Sequence, residues 1–145
     1  LINKLKYLCV LPFIALTILA LTFGVADIFA LQASEYEDKW KIADAVYEKA
    51  DWDKAHSSLI NAMTLNPYNP DYPEMMGRVY IWRYYIDNAP VISEIEAQNI
   101  LTDGLEYVHL SIKLRPAWYV IYSTERRLIR AAERVKSKIK ANAKK

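Results

Sequence analysis

The residue types that carry out catalysis or hold metals are thin in this chain. Its two histidines, His56 and His109, lie far apart, each inside an apolar-periodic stretch that reads as helix. A shared metal would require those helices to face one another and would need further ligands, Asp53 or Glu106 being the nearest. Partly exposed helix histidines account for both more simply. Asp51 and Asp53 form a carboxylate pair of the kind general acid–base chemistry uses. They fall, however, where a helix start needs N-caps, and capping accounts for them. The single cysteine, Cys9, sits in an apolar run, so neither a disulfide framework nor a Cys-based zinc site can be built, and the lack of an apolar run ahead of it speaks against a lipidated cysteine. No Gly-rich phosphate loop, nucleophile elbow or HExxH motif is present. The expectation is a non-enzyme with no cofactor and no metal.

The aromatic residues carry more information. Four tryptophans and eleven tyrosines exceed what a small core requires. Tyr80, Trp82, Arg83, Tyr84 and Tyr85 crowd one helix end, and Trp118, Tyr119 and Tyr122 crowd the start of the last helix. Aromatic groups beside arginine suit protein interfaces and also stack on sugar rings. These eight residues are the expected partner-binding set, against the plainer alternative that Tyr80 and Trp82 fill the core.

Elements must position them. Leu8 to Ala26 is nineteen residues without a charge, a helix of about 28 Å, close to the ~30 Å of a bilayer core. Leu8, Phe13, Leu16, Leu19, Gly24 and Phe29 are its expected lipid-facing anchor residues. Gly24-Val25-Ala26 also has the small-x-small form that a signal peptidase accepts; the expectation here is a retained anchor over residues 1–33. Lys4 and Lys6 before the run favour an N-in orientation. That would put the rest of the chain in the periplasm of a bacterium, attached to the inner membrane.

Beyond the anchor the pattern is helical throughout, and glycine is scarce, with three in the chain. Helix is expected to run from the membrane into residues 39–50, to break at Asp51-Trp52-Asp53, and to resume with Ala55, Leu59 and Ala62 on one face. Pro67 and Pro70 end that helix, and Asp71 is expected to cap the next, which runs to Asn88-Ala89-Pro90. Ser93 followed by Glu96 is a capping-box signature. It opens a helix with Leu101, Leu105, Val108 and Ile112 on one face, closed by Pro116. A last helix over about 117–142 carries Leu128, Ala132, Val135 and Ile139 at the same rhythm.

Ala55, Leu59, Ala62 and Pro67, with gaps of four, three and five, resemble the second half of a tetratricopeptide (TPR) unit. Counting back puts Ile42, Ala43 and Val46 in its first helix, with Trp40 one residue off the usual tryptophan position. Met76, Gly77 and Tyr80 match the first helix of a second unit. Its second helix, Gly104, Val108 and Ser111 before Pro116, is displaced by an insertion at about residues 85–100. With the apolar run as a single transmembrane helix, the expected fold is all-α, and the resemblance implies a TPR-like helical-hairpin domain over 34–116, followed by a C-terminal capping helix over 117–145. The segments Leu65-Asn66-Pro67-x-Asn69-Pro70-x-Tyr72, Gly77-Arg78-x-Tyr80-x-Trp82-Arg83 and Leu114-Arg115-Pro116-Ala117-Trp118 further resemble the VpsP-type accessory proteins of exopolysaccharide synthesis, which implies a non-catalytic role beside that machinery.

Charge is segregated. Residues 27–106 hold fifteen acidic residues and six basic ones, whereas 117–145 hold nine basic residues and two acidic ones. The basic helix points to an anionic partner or lipid headgroups; nucleic acid is not expected, since the body is expected outside the cytoplasm. The functional expectation is a membrane-anchored scaffold or adaptor that binds a protein in or beside the membrane. The alternatives are an accessory subunit of an integral-membrane enzyme complex and a self-assembling helical-repeat protein.

Overall fold

The structure is a computed structural model that describes residues 2–42, 48–85 and 93–143. Those residues form five helices and no strand: α1 (Ile2–Trp40), α2 (Lys49–Leu65), α3 (Asp71–Tyr85), α4 (Glu94–Leu114) and α5 (Tyr119–Asn142). The fold is all-α, as expected. Ala43, Val46, Asn88-Ala89-Pro90 and residues 86–92 of the expected insertion lie outside the described residues.

The helices stack as antiparallel neighbours. α1 packs on α2, α3 on α4, and α4 on α5, while α1, α3 and α5 also touch one another in series along one side. The short connections Asn66–Pro70 and Arg115–Trp118 force this antiparallel order. Their backbone supports it: Asn66 N–H reaches Ala62 O and Arg115 N–H reaches Ser111 O, each closing the last turn before proline can clash.

α1 departs from expectation in a way that reorganises the molecule. It is a single 39-residue helix that ends at Trp40, not near residue 50. From Val10 to Leu21 every described side chain is exposed. From Ala26 onward one face is buried, carrying Ala26, Ala30, Ala33, Glu37 and Trp40 at alternating gaps of four and three. The first helix of the first hairpin is therefore the second half of α1. Ile42, expected inside that helix, lies beyond its end and is 67 % exposed. The expected border at residue 33 falls in the middle of this packed face.

Asp51 and Asp53 do not break the chain either. Both lie in the first turns of α2, whose N-cap is Glu48 without a side-chain bond. Asp51 is buried and accepts from Lys39 Nζ, which ties the start of α2 to the end of α1. At α3, Asp71 is the first helical residue, and it is Asn69 Oδ1 that accepts its N–H, at 3.0 Å. The Ser93 cap is present: its Oγ accepts from Glu96 N–H at 3.1 Å. α5 buries Leu128 and Val135 as expected, with Ala131 rather than Ala132 between them.

Two glycines set the α3–α4 distance. A Cβ on Gly77 would meet Val108 Cγ2 at 2.3 Å, and one on Gly104 would meet Tyr80 Cβ at 2.8 Å. The pair lets the two backbones approach more closely than any larger side chain permits. Behind them an ionic cluster joins the helices of one side. Arg78 of α3 donates to Glu37 of α1 at 2.8 and 3.0 Å and also to Glu74, whose other oxygen accepts from Thr124 Oγ1 of α5 at 2.6 Å. Burial works against the Arg78 charge, but the Glu74 and Glu37 carboxylates outweigh it and hold the guanidinium above its ordinary pKa.

Candidate functional site

α2 and α4 do not pack on each other; α3 lies between them. The groove left over α3 is lined with rings. Trp52 stacks on His56, one turn on, with centroids 4.9 Å apart. Both meet Tyr80 edge-on, at 5.6 and 5.9 Å, and Tyr80 stacks on Tyr107 at 5.8 Å. The aromatic ladder thus crosses three helices, and it runs through Tyr80 because Gly104, opposite, leaves room for that ring.

At the α4 end the ladder opens into a shallow cleft of about 450 Å3 lined by Tyr80, Asp103, Glu106, Tyr107 and Leu110. Two carboxylates over two phenol rings make a cleft suited to a cationic side chain, which gains from both the charge and the ring faces. Burial pushes the Tyr80 phenol up to about 12, with Tyr107 and Asp103 adding to it. Burial, then Asp103 and Glu106, likewise push Tyr107 up. Both phenols therefore stay protonated and act as hydrogen-bond donors. On the α2 side, burial lowers the His56 pKa, with Asp53 opposing, and the Tyr80 hydroxyl lies 3.3 Å from His56 Nε2.

The eight expected partner-binding residues do not form one patch. Tyr80 is a core residue, 7 % exposed. Trp82 is partly buried against the same cluster as Trp52, and Tyr84 packs on the cluster around Leu101 and Leu128. Tyr84 and Tyr85 touch edge-on at the far end of α3, and Arg83 lies 3.8 Å from Glu96. Trp118, Tyr119 and Tyr122 lie at the other end of the domain, beside the start of α3. Trp52, Asp103, Glu106 and Tyr107 were not among the expected site residues. The signal for them was weak, because they come from two helices and meet only across α3.

Of the anchor residues, Phe13, Leu16 and Leu19 are exposed, and an added Cβ on Gly24 would meet nothing within 4 Å. Phe29 is partly buried against the core cluster that α1 shares with α2 and α3, and Leu8 falls within α1. α1 is long and apolar enough to cross a membrane. His109 Nε2 lies 3.1 Å from Glu125 of α5 and far from His56 along the stack. Among the described residues no group of His, Cys, Asp and Glu is arranged to hold a metal ion. No family model, curated protein or solved structure matches the chain.

A second cleft, of about 520 Å3, lies between Tyr84 and the α5 residues Arg130, Glu133, Arg134, Ser137 and Lys138. The two clefts carry opposite charge, one with two carboxylates and the other with three cations against Glu133.

Proposed function

We propose that this protein is a non-catalytic membrane-anchored scaffold that docks a partner protein beside the bilayer, with the Asp103–Glu106 cleft receiving a cationic segment of that partner. The observation that carries the reading is α1, bare and apolar from Val10 to Leu21 and continuous with the first packed helix of the domain from Ala26 onward. A domain held in this way is confined to the membrane plane, which raises its effective concentration towards anything else in that plane. The open acidic cleft supplies a recognition surface, and the basic face of α5 supplies one for an anionic partner.

The TPR resemblance supports a docking role, since TPR stacks present grooves between helices. The VpsP-type resemblance supports a partner in envelope polysaccharide synthesis, with the domain on the periplasmic side of the inner membrane. Photo-crosslinking in membranes tests the cleft. A benzophenone amino acid at position 107 or 110 should yield one discrete protein adduct that is absent when the probe is at Ile129 on α5. Adducts that are equally absent from all three positions would contradict the cleft assignment.

A further inference from the structure

The two proline loops of the domain lie at the same end, and that end lies at the depth of the apolar run of α1. The Tyr72 hydroxyl, just after the first loop, donates to Asp27 of α1 at 2.5 Å. Ser111 Oγ, just before the second loop, donates to Pro70 O at 2.6 Å, and Arg115 lies 3.9 Å from Asp71. Both loops are thereby tied to the level of Asp27. α1 is exposed from Val10 as far as Leu21 and first becomes partly covered at Thr22 and Phe23, inside the charge-free run that ends at Ala26.

The side chains presented at this end match an interface between water and hydrocarbon. Tyr68 is 81 % exposed and Tyr119 80 % exposed. The Arg115 guanidinium lies over the Trp118 ring, 5.0 Å from its centroid, and Lys113 beside it is exposed. Tyr122 braces the second loop by donating to Pro116 O at 2.9 Å. Each carboxylate described near the loops has a partner: Asp71 faces Arg115, Asp27 accepts from Tyr72, and Glu74 is buried against Arg78 and Thr124. Tyrosine and tryptophan with flanking cations are the residues that settle at headgroup level.

The lengths agree. The charge-free run from Leu8 to Ala26 rises about 28 Å, close to a ~30 Å hydrocarbon core, and about 21 Å of that rise lies below Thr22, where cover on α1 begins. The top of the apolar run therefore lies at the level of the loop end of the domain, where Tyr72 meets Asp27.

We propose that the loop end, with Tyr68, Lys113, Arg115, Trp118 and Tyr119, lies in the lipid headgroup layer of the membrane that α1 crosses. The domain then stands on the bilayer instead of hanging from a tether, with the acidic cleft partway up and the C-terminal end of α5 facing away. The proposal rests on α1 crossing a bilayer, and its test carries a control for that.

Full-length protein with Cys9→Ser, reconstituted in phosphatidylcholine–phosphatidylglycerol vesicles, would carry one environment-sensitive fluorophore at a time. Positions 64 and 117 report the loop end, 13 the span and 142 the far end. Iodide in the water should quench labels at 64 and 117 at least threefold less than at 142, and nitroxides at headgroup depth should quench them more. If 64 and 117 are as open to iodide as 142 while 13 is shielded, the headgroup proposal is overturned and the span stands. If 13 is itself open to iodide, the span reading fails and the proposal with it.

Discussion

The Tyr72 hydroxyl donates a 2.5 Å hydrogen bond to the Asp27 carboxylate, joining α3 to α1 one residue past the charge-free run. Asp27 is the first charge α1 carries after the apolar stretch, and its oxygen is held by the domain rather than left facing hydrocarbon. Tyr72 is 2 % exposed, and burial followed by the Asp27 bond pushes its phenol up. The donor stays protonated at any ordinary pH. Tyr72→Phe keeps the ring and removes the bond to a charged acceptor, so it should cost about 1.5–3 kcal/mol. The loss would appear in denaturant unfolding in detergent, with the slope unchanged.

Arg78 bridges Glu37 and Glu74, and Glu74 is 1 % exposed; Lys41 reaches Glu37 as well, at 3.5 Å. Truncating Arg78 leaves the buried Glu74 carboxylate without its counter-charge. Arg78→Met should destabilise the domain by about 3 kcal/mol, the lower end of the range for a broken buried pair, because the arginine keeps some contact with water. Arg78→Lys should recover only part of this, since a point charge cannot reach both carboxylates as the planar fork does. Thermal melts of the three proteins would rank them wild type, Lys, Met.

Close approach at Gly77 gives a second stability test. Gly77→Ala puts a methyl 2.3 Å from Val108 Cγ2, and a valine on a packed helix has no free rotamer to move it into. A loss of about 1–3 kcal/mol is expected. Val108→Ala in the same chain removes the clashing methyl, so the double variant should be more stable than the sum of the two single changes predicts. Strict additivity would show that the two helices are not in contact there.

His56 makes stability depend on pH in one direction. Burial lowers its pKa in the folded domain, so between the ordinary value of about 6.5 and the lower folded value the unfolded chain binds a proton that the folded one does not. Stability should therefore fall as pH drops through that window and level off once both states are protonated. His56→Phe, which keeps a ring against Trp52 and Tyr80, should flatten this part of the profile. A profile of unchanged slope would assign the titration to another group.

Much of this architecture is legible in the residues. Leu59 with Ala55 and Ala62, Leu101 with Val108, and Leu128 with Val135 all repeat at helical spacing, and each marks a face that is buried. Ser93 with Glu96 marks a helix start, and Pro67 and Pro116 mark ends. The end of α1 at Trp40 has no such mark: neither glycine nor proline stands between Trp40 and Lys49, and only the packing of α2 on α1 reveals it. Ala26, Ala30 and Ala33 read as lipid anchor because small apolar residues serve a bilayer and a tight helix contact equally well. The aromatic ladder escapes a linear reading for a different reason. Trp52, Tyr80 and Tyr107 stand on three helices, and only the stacking of α2, α3 and α4 brings them together.

The central claim is that α1 is one rigid rod from the span into the domain. Pulsed electron–electron distance measurement tests it directly, with Cys9→Ser protein in vesicles and spin labels at Ile14 in the span and Ser57 on α2, both exposed. A continuous helix predicts a single narrow distance distribution that is the same in detergent and in lipid. A broad distribution, or one that shifts between the two, would mean that the chain hinges between anchor and domain, and would contradict the account.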